Sequence, residues 1–201
     1  MRAKAETVSE FRCAEILDAA RQVFAKRGFS QATVDDIAEA AGVAKGTLYL
    51  YFRSKDDIYM AALKQGVALM NEETRRRVEE SVTAAEKIRA FIAARIEYCE
   101  KNGEFFQIYH AEFGKILRHP VDIGRDFLEM YNQQARLLES VLRDAVERGE
   151  IRCLRTESTA FSIYDMTRGL ITQRLLGWSR AAVEEDVEFL FELVWRGIAR
   201  Q

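Results

Sequence analysis

Apolar positions recur every three or four residues along most of this chain, the spacing of one buried helix face rather than of a strand. Ile16, Leu17, Ala20 and Phe24 line up on a helix expected from Arg12 to Arg27. A short helix is expected next, starting near Val34 and stopping at Gly42. Thr33 and Asp36 have the spacing of a capped N-terminus, Ile37, Ala38 and Ala41 supply a packing face, and Gly42 permits the turn that follows. Beyond the turn, Val43, Leu48 and Phe52 suit an inward face and leave Lys45, Thr47, Tyr49 and Tyr51 pointing elsewhere. A long helix from Asp56 to about Glu80 turns Ile58, Leu63, Val67 and Met70 inward. Further helices are expected at about 84–101, 103–118, 120–148, 156–177 and 181–200, with breaks at Asn102-Gly103, His119-Pro120, Gly149-Glu150 and 177–179. With one proline and no alternating β-branched runs, the fold class is all-α, of about nine helices.

Two short helices joined by a glycine turn, the second keeping polar and aromatic groups off its packing face, form a helix-turn-helix, whose second helix enters the major groove of DNA. Early residues of that helix meet base edges and flanking groups hold phosphates. Lys45 has the reach for guanine O6 and N7, Gly46 allows close approach, and Thr47 offers a hydroxyl and a methyl to a thymine. Those three are expected to carry specificity. Lys55, at the start of the next helix beside the Ser54/Asp57 capping pair, is expected to hold a phosphate, as is Thr33 at the earlier helix terminus.

The stretch resembles the tetracycline-repressor-like (TetR) family of transcriptional regulators, through Gly28-Phe29, Thr33-Val34, Ile37-Ala38, Ala41-Gly42-Val43, Gly46-Thr47-Leu48-Tyr49, Tyr51-Phe52 and Ser54-Lys55-Asp56. The resemblance covers the first quarter of the chain. It implies that Tyr49 and Tyr51 lie at the DNA surface, positioning the duplex more than discriminating its bases. Ala44 departs from the family pattern, standing where many relatives carry a serine at the recognition-helix N-cap, and a lost cap of that kind costs about 1 kcal/mol. That departure bears on operator sequence, not on binding mode.

Composition changes this picture little, but charge distribution sharpens it. The formal net charge is only −2, yet residues 1–55 hold nine Lys/Arg against seven Asp/Glu, and residues 40–55 carry Lys45, Arg53 and Lys55 with no acid. Cys13, Cys99 and Cys153 form no CxxC pair, so packing cysteines are expected, with neither a disulfide framework nor a metal site. There is no run of eighteen apolar residues and no apolar leader core in MRAKAETVSE, so a cytoplasmic protein off the membrane is expected. Two histidines and no HExxH, GxSxG or GxxxxGKS motif argue against an enzyme, and no cofactor is implied. His110-Ala111-Glu112 lacks the CxxC that would complete a zinc deaminase.

The remaining residues, 56–201, are expected to form an effector-binding and dimerisation domain behind a DNA-binding domain of residues 1–55. Aromatics concentrate between 91 and 131, and an apolar pocket is expected there from Phe91, Tyr98, Phe106, Tyr109, Phe113, Phe127 and Tyr131, with Arg95, His110 and Glu112 among them to orient a ligand. In the last helices Val187, Leu190, Phe191, Val194 and Ile198 form one stripe, and Phe161, Tyr164 and Leu175 flank Gly169 on the helix before. The resemblance implies that two such helices per subunit build a four-helix homodimer interface. It further implies a repressor of a palindromic operator, released by a small apolar or amphipathic effector. The alternative is a constitutive DNA-binding or partner-recruiting protein without effector control.

Overall fold

The computed structural model describes the backbone of residues 2–116, 125–153 and 155–200, and the side chains of these apart from 2–10, 111–116, 125–128, 130 and 131. Among the described residues the chain is all helix: α1 (Arg2–Gln31), α2 (Val34–Ala40), α3 (Lys45–Tyr51), α4 (Lys55–Glu80), α5 (Ala84–Lys101), α6 (Gly103–Ile116), α7 (Arg125–Glu147), α8 (Thr156–Leu175) and α9 (Val183–Ile198). The only extended pairing described is an isolated antiparallel bridge between Ile151 and Ala199. α1 begins well before Arg12 and kinks at Gly28, where φ is 69°. The early start has a simple cause: Arg, Ala, Lys and Glu at 2–6 have strong helix propensity but no apolar period to announce it. The expected helix start at Pro120 lies outside the described residues.

The chain divides into two packed units, Met1–Val67 with Asn102–Ile123, and Ala68–Lys101 with Gly124–Gln201. In the first, α6 lies along α1, α2 packs on α1 and α3 packs on α2. Ile16, Leu17, Ala20 and Phe24 of α1, Ile37 and Ala38 of α2, Leu48 of α3, and Ile58, Ala62 and Leu63 of α4 are among its buried apolar residues, together with Phe105, Phe106 and Tyr109 of α6. Tyr59 meets the rings of Phe24 and Phe29 edge-on, at 5.0 Å from each. Arg21 on α1 donates to Gln65 Oε1 on α4 at 2.6 Å, so the leading half of α4 is tied to the first helix by both apolar and polar contacts.

The second unit is built around α5. Ile88, Phe91, Ile92, Arg95 and Cys99 recur on its buried face, and α7, α8 and α9 all pack against it. Its N-terminus is capped by Glu86, whose carboxylate accepts from the Val82 and Thr83 amides and is thereby held below the usual carboxylate range. Arg76 and Arg77 both bond Glu73, and Arg77 reaches across to Glu97 at 2.9 Å. Hydrogen bonds first from Arg76 and then from Arg77 bring the Glu73 carboxyl down to about 2. The thiol of Cys99 is pushed up to about 12 by burial, which keeps it unreactive.

Candidate nucleic-acid interface

The helix-turn-helix is assembled from local interactions. Asp36 N–H donates to Thr33 Oγ1 at 3.1 Å, while Thr33 N–H and hydroxyl both donate to Asp36 Oδ2, a complete capping box at the start of α2. These bonds from Thr33, reinforced by Arg27 at 2.7 Å, hold the Asp36 carboxyl below its ordinary range. Val43 N–H returns to Ala38 O across the turn, and Gly42 takes φ 64°, a left-handed value that side chains disfavour. α3 then starts at Ala44, which has no side-chain cap bond.

On α3 the inward and outward faces separate cleanly. Leu48 is fully buried and Phe52 nearly so, while Lys45, Gly46, Tyr49 and Leu50 are exposed and Arg53 follows just past the helix. Thr47 is half-buried, and Tyr51 is half-buried with its ring 6.3 Å from Phe52. Lys45 bonds Asp35 of α2 at 2.9 Å, and that carboxylate raises the lysine above its ordinary value. The pair is open to solvent, so Lys45 remains available to exchange Asp35 for a duplex.

Two expected phosphate contacts are placed otherwise. The single hydroxyl proton of Thr33 is engaged by Asp36. The Lys55 ammonium donates to Phe29 O at 2.8 Å and Ala32 O at 2.9 Å and lies 4.5 Å from the Phe29 ring centre, closing the last turn of α1 instead of facing outward. Lys55→Ala is therefore expected to destabilise the first unit by about 1.5–3 kcal/mol, the range of charged hydrogen bonds. Operator binding measured on the folded variant should keep its dependence on salt, whereas a lost phosphate contact would lower the slope by about one. Conversely, Leu50, 82% exposed at the centre of the outward face, was missed by sequence reasoning. The signal was there: it stands two residues from Leu48, about 200° around the helix.

The residues expected to hold an effector fall into both units. Phe91 and Arg95 are fully buried and Tyr98 half-buried in the second, whereas Phe106, Tyr109 and the half-buried His110 belong to the first, in a cluster of mutually tilted rings. Phe113, Phe127 and Tyr131, with Glu112, lie outside the described side chains. A surface cleft of about 220 Å³ between α7 and α8 is lined by Asn132, Arg136, Glu139, Glu157 and Phe161, with Ala135 at its floor, walls too charged for an apolar ligand.

The stripe expected to face a second subunit is largely filled from within the chain. Val187, Leu190, Phe191, Val194 and Ile198 are between 2% and 7% exposed, packed inward as α9 docks on α5, and Tyr164 is buried too. Phe161 is half-buried, and Gly169 and Leu175 stay exposed. Besides Leu175, the large apolar residues that α8, its C-cap and α9 leave at the surface lie outside the expected stripe: Met166, Leu176, Phe189 and Leu193.

Comparison with known proteins agrees with this architecture. The family model described as bacterial regulatory proteins, tetR family, matches residues 16–62, and that of a tetracyclin repressor-like C-terminal domain matches residues 81–172. The fatty acid metabolism regulator protein of Bacillus subtilis is 28% identical over 138 residues, 69% of this chain and 70% of that protein. The transcriptional repressor KstR2 of Mycobacterium tuberculosis is 29% identical over 139 residues, 69% of this chain and 68% of its own. Among solved structures, the fatty acid degradation regulator FadR from Bacillus halodurans has a TM-score of 0.79 at 23% identity, covering 91% of this chain and 94% of that one. FadR from Bacillus subtilis in complex with stearoyl-CoA has a TM-score of 0.78 at 24% identity, with 90% and 96% covered. At such identities these two establish likeness of fold. The chain belongs to the TetR family: it is a transcriptional regulator with a helix-turn-helix DNA-binding region, and not an enzyme.

Proposed function

We propose that this chain is a repressor that binds a palindromic operator as a homodimer and leaves it when a small apolar or amphipathic effector binds. One observation carries the DNA half: a cation, a bare glycine and an aromatic, Lys45, Gly46 and Tyr49, stand exposed on a helix whose opposite face is locked into the core by Leu48. Lys45 and Thr47 read bases, Tyr49 and Arg53 hold the backbone, and Leu50 covers a thymine methyl or a sugar. Repression is supported by KstR2, itself a repressor, and the amphipathic effector by FadR, which was solved with stearoyl-CoA. Acting on operator DNA, the protein works in the cytoplasm, and no described helix is long and apolar enough to cross a membrane.

The homodimer rests on the outer faces of the last two helices. Met166 and Gly169 on α8, Leu176 at its C-cap, and Phe189 and Leu193 on α9 are apolar or small and exposed in the single chain. A two-fold pairing covers them and brings two copies of α3 to one symmetric site. Within the first unit α6 lies along α1, and α4 contributes to both units, so these helices are the levers through which an effector changes the spacing of the two reading heads.

The test is selection of bound duplexes by the purified protein at two salt concentrations. A palindromic consensus is expected, with affinity falling as salt rises. Lys45→Ala and Thr47→Ala should relax preference at particular base pairs, at about 1–3 kcal/mol for a bidentate contact, whereas Tyr49→Ala should weaken all sequences alike. Uniform effects from all three would refute the division of roles.

A further inference from the structure

Arg95 is the largest fully buried side chain of the described residues, and none of its three guanidinium nitrogens has a hydrogen-bond partner. It sits mid-way along the buried face of α5, with the Tyr164 ring 4.3 Å and the Phe91 ring 5.6 Å from its central carbon. Those rings attract the cation through their faces but supply no acceptor to its N–H groups. The carboxylates of its own helix are all engaged elsewhere: Glu86 on the Val82 and Thr83 amides, Glu97 on Arg77, Glu100 on Arg174. Cys99, one turn along, offers no countercharge either, because burial keeps its thiol protonated. A charge removed from water with neither ion pair nor hydrogen bond is an unstable arrangement for a folded protein to retain without a use.

We infer that Arg95 is the seat of an anionic effector, and that the group it receives is the carboxylate of an apolar monocarboxylic acid. This rests on the effector-controlled reading above and specifies its ligand. Guanidinium geometry suits a carboxylate, two parallel N–H···O bonds to one planar anion. The charge balance selects the same group. Among the described residues Arg95 is the sole buried cation, and the buried carboxylate of Asp186 is already paired with Arg174 at 2.5 Å, so the interior neutralises one negative charge. A phosphate or pyrophosphate would need more. The ligand's remaining surface meets Ile88, Phe91, Ile92 and Tyr164, which are apolar or aromatic and select a hydrocarbon body.

The experiment uses the full-length protein with hexanoate, decanoate, palmitate and phenylacetate, the matched alcohols, and palmitoyl-CoA, followed by thermal unfolding, calorimetric binding and release from the selected operator. At least one acid should raise the unfolding temperature and bind, and its alcohol should do so about tenfold to hundredfold more weakly. Arg95→Met, which keeps an unbranched apolar stem and removes the charged head, should unfold at the same or a higher temperature and lose acid binding by a similar factor. Equal binding of acids and alcohols, no acid binding at all, or undiminished binding by Arg95→Met would each overturn the assignment. Should that variant not fold, the acid-against-alcohol comparison on the unaltered protein decides. The two readings fail separately: acid binding through Arg95 without operator release upholds the site and removes effector control, whereas release by palmitoyl-CoA that is identical in Arg95→Met upholds effector control and removes the site.

Discussion

Leu48→Ala is expected to abolish operator binding at physiological temperature, while Leu50→Ala, the same change two residues along the same helix, leaves the fold untouched. Leu48 is fully buried where α3 packs on α2, and α3 is only seven residues long, too short to persist without that anchor. Truncating a buried leucine to alanine removes about 2–5 kcal/mol, through lost transfer energy and the cavity left behind. Against a whole-domain stability of about 5–15 kcal/mol, that is a large fraction. Leu50 is 82% exposed, and a surface change of this kind moves stability by no more than about 0.5 kcal/mol. Urea unfolding followed by circular dichroism, with operator anisotropy on the same samples, separates the two. Matching losses of stability would mean that α3 is held by something other than its Leu48 face.

That contrast also shows how far the sequence could be read. The helix-turn-helix is legible because its determinants are close in the chain: the Thr33–Asp36 box, the Gly42 turn and the Leu48–Phe52 pair each lie within a few residues. The end of α5 is legible for the same reason, from the Asn102-Gly103 break that follows Lys101. What sequence could not supply is the identity of a partner far along the chain. Lys55 reads as a surface cation until folding brings the carbonyls of Phe29 and Ala32 beneath it. Periodicity likewise reveals that Val187, Leu190, Val194 and Ile198 share a face, but not that α5 of the same chain covers it. The aromatics between 91 and 131 look like one cluster in sequence because α5 and α6 are consecutive, yet Phe91 and Phe106 belong to different packed units. Arg95 stood out as a polar residue among aromatics; that all its donors are orphaned is a property of the folded interior alone.

Gly66→Ala sets two physical effects of opposite sign against each other. In a helix interior, glycine to alanine ordinarily stabilises by about 0.5–1 kcal/mol, because alanine gives up less backbone freedom on folding. Gly66 lies in the middle of α4, so propensity alone predicts a gain. A Cβ built there, however, falls 2.2 Å from Cδ2 and 2.5 Å from Cε2 of Phe105 on α6. The ring has little room to swing away, since Phe105 is 1% exposed and lies 5.1 Å from the Phe106 ring and 5.8 Å from that of Tyr109. Overpacking of a filled core costs about 1–3 kcal/mol, so the clash outweighs the propensity gain and the variant should be destabilised. Gly46→Ala is the internal control: nothing lies within 4 Å of its added Cβ, so it should hold or raise stability. A Phe105→Leu change, costly alone, should cost less in the Gly66→Ala background, giving a favourable coupling in the double-mutant cycle of about 0.5 kcal/mol or more. Stabilisation by Gly66→Ala, or strict additivity with Phe105→Leu, would show that α4 and α6 do not approach as closely as this glycine requires.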